Sequence, residues 1–252
     1  MEEFEKLMSN FMEITKPQQT PALMADEEFR IKCIKTSYVN IAQMLLAFTP
    51  FSNLPFKEKI ILHHEFWQIF IELGKCYQTC QYLGSNSEDA RSFADFHQYR
   101  DYEKEINDSD KSKNNSAANF MTPLKAKLIA AVKGFKKFNP TFFEFSLICQ
   151  VLLWSRCDIL NLSASTIKLA ETITNQLWDS LHFYYVNELK LEAYAARQAK
   201  LYRMINITSV ILDEEKQAFK AKDIFSFRKE NVIPCCKFKH GYFNYIKNKS
   251  LL

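Results

Sequence analysis

Residues 51–67 read Phe51-Ser52-Asn53-Leu54-Pro55-Phe56-Lys57-Glu58-Lys59-Ile60-Ile61-Leu62-His63-His64-Glu65-Phe66-Trp67, and the way this stretch is read decides the fold. Pro55 suits the opening of a helix: it has no amide hydrogen to leave unpaired there, and the residue before a proline is pushed out of helical backbone angles. Beyond it, Ile60, Ile61, Phe66, Trp67, Phe70, Ile71, Leu73 and Tyr77 lie nearly all round the helix axis, as far as about Gly84. A helix that is apolar on most of its circumference has to be enclosed by other elements. The stretch therefore predicts a long central helix with further helices layered about it.

Upstream, Thr49-Pro50 closes a helix for which Asp26 is a suitable cap and Glu27 and Glu28 fill the first turn. Ile31, Ile34, Tyr38, Ile41, Leu45 and Phe48 recur along it at three- and four-residue steps, with Cys33, Val39, Ala42 and Leu46 beside that stripe. Residues 15–25 contain two prolines in a polar run and read as a loop after a short helix. Downstream, residues 84–119 are polar and low in complexity, from Ser85-Asn86-Ser87 to Asn114-Asn115-Ser116, and are expected to form a flexible insert. Thr122-Pro123 restarts helix to about Phe138, and Lys125, Lys127, Lys133, Lys136 and Lys137 read as its solvated face. Thr141 and Glu144 have capping-box spacing for a helix to about Ser155. Ser163 or Ser165 caps the next, with Ile167, Ala170, Ile173, Leu177, Leu181 and Tyr184 in helical period. After a break near Leu191-Glu192-Ala193 a last helix carries Leu201, Met204, Ile205, Thr208 and Ile211. Seven or eight helices and no convincing strand pair make an all-α class. The division expected is a short helix and loop at 1–25, the main domain at 26–225 and a divergent basic tail at 226–252.

Composition agrees. Of 252 residues 22 are Phe and 11 are Tyr but only 4 are Gly, which leaves little for phosphate-binding loops or tight hairpins. The net charge of +4 is too small to imply nucleic-acid binding. Seven cysteines, odd in number and scattered, indicate reduced thiols rather than a disulfide framework or a zinc site. The acidic start Met1-Glu2-Glu3-Phe4-Glu5 is unlike a secretory signal, and no apolar run approaches the roughly 20 residues of a membrane span, so a soluble, intracellular protein is expected.

The residues offer no catalytic constellation. His63 and His64 are adjacent, hence about 100° apart on a helix, and cannot share a metal. Cys76 and Cys80 lie one turn apart, a spacing equally suited to small buried hydrophobes. No nucleophile elbow, phosphate loop or dinucleotide fingerprint is present, so neither an enzyme nor a cofactor is expected. An aromatic helical shell suits either a solid core or a cavity for a lipophilic molecule, with Ser37, Tyr38 and Gln43 available to orient it.

Residues 51–67 resemble the signature segment of nuclear hormone receptor ligand-binding domains, in which a Phe, a Leu-Pro turn, an apolar helix and a Trp follow in this order. Pro140-Thr141-Phe142-Phe143-Glu144-Phe145 through Trp154, Phe183-Tyr184-Tyr185-Val186-Asn187-Glu188-Leu189 and Tyr194-Ala195-Ala196-Arg197-Gln198-Ala199-Lys200-Leu201 keep the family's order. The wording is most similar to the expanded nematode branch, over roughly residues 26–225. The resemblance implies a three-layer antiparallel helical sandwich and a nuclear transcription regulator, with the cytoplasm as a further compartment. It implies a small lipophilic ligand in a pocket lined by Ile34, Ser37, Tyr38, Ile41, Leu45, Trp67 and Ile71. Coregulator proteins would dock in a groove formed by Val39, Ala42, Leu46, Lys59, Ile60, His63 and His64. It also implies a structural ion pair between Glu144 and Arg197, and homo- or heterodimers with nuclear receptors through residues 194–212.

The departures from the pattern are specific. No zinc modules precede the helices, so direct DNA binding by this chain is not expected. Leu46 stands where the family places a lysine that clamps a partner helix, and His63 where it places an apolar groove residue. The final activation helix would fall near residues 231–240, yet residues 231–252 contain no Asp or Glu; Asp223-Ile224-Phe225 is only a half-match. These departures favour an alternative, a DNA-binding-deficient receptor relative that acts as a dimerisation or corepressor-titrating module without ligand response. A lipid carrier unrelated to transcription is a third reading.

Overall fold

The computed structural model describes residues 2–17, 20–21, 27–93, 98–111 and 116–225. The stretch quoted above begins α4 (Phe56–Leu83), a helix of 28 residues and about 42 Å. Leu62, Phe66, Phe70 and Leu73 on it are buried, and it packs against α2 (Glu27–Leu46), α6 (Ser116–Phe138), α7 (Phe142–Trp154) and α9 (Ala195–Phe225). Its start is fixed by Glu58, which accepts hydrogen bonds from the Ser163 backbone N–H at 2.9 Å and from the Thr166 hydroxyl. Those two residues open α8 (Ala164–Phe183), with Ser163, not Ser165, as its cap.

Three layers result. α1 (Glu2–Ile14) and α2 form one face, α4, α7 and α8 the middle, α6 and α9 the other, as the expected helical sandwich requires. In α1, Phe4, Met8 and Phe11 recur at four- and three-residue steps and are all buried. Phe4 meets Phe48 and Phe11 meets Phe70 edge-on, each at 5.1 Å. The Glu3 carboxylate accepts from the Thr49 backbone N–H at 3.0 Å and so caps the short α3 (Thr49–Ser52).

The structure differs from the sequence reading in three places. Residues 84–119, read as an insert, carry β2 (Arg91–Phe93), β3 (Gln98–Asp101), α5 (Tyr102–Lys111) and the start of α6. With β1 (Thr20–Pro21), the strands form a small sheet in the order β1-β3-β2, parallel between β1 and β3 and antiparallel between β2 and β3. Buried Ala90 and Phe93 anchor this segment, and Arg91 lies over the Tyr99 ring at 5.6 Å. Second, Pro123 lies inside α6 rather than at its start. Third, Lys136 is not on a solvated face: it is 1 % exposed, with its ammonium donating to the Asp89 carbonyl at 2.6 Å. A buried cation needs such acceptors.

At the α6–α7 junction Asn139 takes the left-handed backbone (φ 48°) that ends a helix, a conformation asparagine tolerates. Thr141 then caps α7 through a complete capping box. Its hydroxyl accepts from the Glu144 N–H at 3.2 Å, and its own N–H donates to the Glu144 carboxylate at 2.8 Å. The same carboxylate, 0 % exposed, takes two Arg197 bonds at 2.6 Å and the Tyr185 hydroxyl at 2.8 Å. Both expected roles of Glu144 are thus present at once. Arg197→Ala leaves that buried charge short of its cation and should cost about 3–5 kcal/mol, read as a lower urea midpoint. An unchanged midpoint contradicts the assignment.

Candidate functional site

α2 and α4 place the expected groove and pocket residues side by side. Tyr38 of α2 sits edge-on to His63 at 4.4 Å and to Trp67 at 5.3 Å, where one helical turn of α4 brings the imidazole and the indole onto one face. His63 is buried, which differs from its expected place on the groove surface. Burial lowers its pKa to about 4 despite a backbone hydrogen bond with Tyr38, so the ring is neutral at neutral pH. His63 Nε2 and Trp67 Nε1 have no hydrogen-bond partner among the described residues.

Next to this aromatic cluster, Val39 and Leu46 on α2 and Ile60 on α4 are exposed to 50 %, 53 % and 38 %. Each leaves apolar surface open to solvent, as do Phe56 and Ile61 near the start of α4, which the expected groove did not include. Ala42, Lys59 and His64 are half-buried, and the Lys59 ammonium is held by the Ser52 carbonyl at 2.9 Å. Of the pocket residues, Ser37 is buried, Ile41 and Leu45 belong to the contiguous core, and Ile71 is half-buried against it. The side chain of Ile34 lies outside the described residues, as do residues 226–252 and with them the expected activation-helix stretch.

Further along α4 the circumference is not apolar. Glu72 and Lys75 form an ion pair at 2.6 Å, both largely shielded. Across from them Glu105 of α5 bridges Lys125 of α6 at 2.9 Å and Arg100 of β3 at 3.8 Å. Tyr102 lies within electrostatic reach of Lys75, Arg100, Glu72 and Glu105, and burial pushes its phenol up to about 12. The Glu72/Lys75 spacing was legible in the sequence. The partners were not, because Arg100 and Tyr102 fall in the segment taken for an insert.

The described cysteines, Cys33, Cys76, Cys80, Cys149 and Cys157, are free thiols. Burial raises the Cys76 and Cys80 thiols, Cys80 to about 12, which argues against a reactive thiolate at either. Among the described residues no group of three or more His, Cys, Asp and Glu is placed to hold a metal, and no helix is long and apolar enough to cross a membrane.

A three-layer helical sandwich around a long central helix places the protein in an all-α class. The family model for the ligand-binding domain of nuclear hormone receptors matches residues 25–225, and the chain belongs to that family. It is similar to nuclear hormone receptor family member nhr-127 of Caenorhabditis elegans, 40 % identical over 73 residues that make up 29 % of this chain and 20 % of that protein. It is also similar to family member nhr-213 of the same organism, 24 % identical over 199 residues, 76 % of this chain and 47 % of that protein. The chain thus spans less than half the length of these relatives.

The low imidazole pKa carries a stability consequence. Between pH 6.5 and about 4 the unfolded chain binds a proton that folded His63 does not, so stability falls as pH drops through that window. From pH 7 to pH 5 this amounts to about 2 kcal/mol. His63→Leu should flatten that part of the pH dependence of the urea midpoint; the same slope in the variant would assign it to other groups.

Proposed function

We propose that this chain is a nuclear-receptor-like transcriptional regulator that binds a small lipophilic ligand and acts in the nucleus through protein partners. The observation that carries this reading is the exposure of Val39, Leu46 and Ile60 on the two helices that hold the Tyr38–His63–Trp67 cluster. A monomeric surface seldom leaves several such side chains open without a binding role, and an amphipathic helix with leucines at three- and four-residue steps fits apolar surface of this kind. Membership of the ligand-binding-domain family supports the ligand and the regulatory role.

Leu46 gives the groove no cationic clamp, so affinity for a partner helix rests on apolar contact and depends weakly on salt. A labelled Leu-rich helical peptide should bind the purified chain, and Ile60→Arg should weaken it at least tenfold by fluorescence anisotropy. Absence of binding, or binding indifferent to Ile60→Arg, contradicts the groove.

One feature favours the alternative of an interaction module without ligand response. Tyr202 and Val210 are exposed on α9, in the segment expected to dimerise, and Tyr202 stacks on Trp178 at 4.8 Å. A dimer in sedimentation that Val210→Glu dissociates, in a chain that never takes up a lipophilic molecule, supports that module.

A further inference from the structure

His63 stands where the family resemblance places an apolar residue, and the structure buries it with little to satisfy a charge. It is 7 % exposed, its ring lies edge-on to Tyr38 at 4.4 Å, and it has a hydrogen bond with the Tyr38 backbone. Its Nε2 has no partner among the described residues. In the neutral ring one nitrogen donates and the other carries only a lone pair, so one unpaired atom is tolerable. Protonation makes both nitrogens donors and adds a charge, and a buried, unpaired cationic N–H is far more costly.

The charged groups around the ring do not compensate. His64, beside it on α4, repels a second positive charge. Lys59, one turn earlier on α4, and Lys35, one turn before Tyr38 on α2, are cations too, with the Lys59 ammonium on the Ser52 carbonyl. The acids of this part of α4 are engaged elsewhere, Glu58 by Ser163 and Thr166 and Glu65 by Arg156 at 3.0 Å.

The two helices that meet at His63 are not equally anchored. α4 is enclosed by α2, α6, α7 and α9, with Leu62, Phe66, Phe70 and Leu73 buried. In the later half of α2, Ile41, Met44 and Leu45 are buried. Along residues 32–40, Ser37 is the only buried side chain among those described, and Tyr38 is half-buried. A charge on His63 is therefore relieved most readily by moving the first half of α2, with Ile41, Met44 and Leu45 as the fixed end.

We propose that His63 is an acid-sensitive latch: neutral, it keeps residues 32–40 of α2 seated on α4 through Tyr38, and protonated, it releases them while the later half of α2 and the other layers stay closed. Val39 follows Tyr38 and Ile60 lies one turn before His63, so the release parts two residues of the expected groove. The latch stands whether or not a partner binds there.

Hydrogen exchange of the full chain, read by mass spectrometry at pH 7 and pH 5 and corrected for the intrinsic rate, tests this. An imidazole with a pKa of 6.5 when released and about 4 when seated raises the open population about twentyfold between these pH values. Residues 32–40 should lose protection by that factor. Low urea should leave their exchange unchanged while it speeds exchange in α7 (Phe142–Trp154). His63→Leu, or His63→Met if the leucine variant does not fold, should abolish the pH effect. Three results overturn the latch. Unchanged protection of residues 32–40 shows no release, an equal loss in the variant removes His63 as the trigger, and exchange that rises with urea in step with α7 makes the opening global.

Discussion

Glu144 is a carboxylate with no access to water, and a charge in that position must be met on every side or it unfolds the structure around it. It is met from three places in the chain. Thr141 donates from the start of its own helix, Tyr185 from the π-helical segment Tyr184–Glu188 after α8, and Arg197 from the first turn of α9 with both nitrogens of its fork. Arg197 also lies over the Phe138 ring at 4.9 Å, which brings the end of α6 into the same knot. The elements of the middle and outer layers are therefore registered against one another by a single buried acid, and the largely apolar α7 can be submerged around it with its first turn capped.

That knot was readable because each half has a sequence signal: the capping spacing of Thr141 and Glu144, and the family resemblance that pairs Glu144 with Arg197. The central helix was readable for a similar reason, since apolar residues on many sides of one helix demand enclosure. Other features were not. Lys136 resembles its lysine neighbours in type, and only the return of the 84–90 loop to its ammonium makes it an interior residue. The strands of 91–101 are too short and polar for an alternating pattern, and their order comes from long-range pairing with residues 20–21. His63 was expected on the groove surface because it stands where the family resemblance places a groove residue, whereas the ring turns against Tyr38 and is buried.

α4 links the two surfaces on which the functional reading depends. Near its start it offers Phe56, Ile60 and Ile61 to the outside. About two turns after Ile61, Trp67 meets Tyr38 of α2; about a turn later Ile71 packs against the core, and a further turn on Lys75 pairs with Glu72. A molecule lying along the later part of the helix would rest on the same rigid rod that carries the groove, so its presence can bias the groove only through differential contacts with two arrangements of that rod. In the proposed reading, a partner helix would meet exposed apolar side chains rather than charged ends, because Leu46 is uncharged and residues 231–252 contain no acid.

Whether a small apolar molecule occupies the interior decides between a receptor-like regulator and a filled interaction module. Native mass spectrometry of the purified chain, before and after incubation with a total lipid extract, answers this directly. The expected result is one additional mass per chain, released by gentle organic extraction as an apolar small molecule. A chain that stays at its bare mass after incubation contradicts the ligand-binding account.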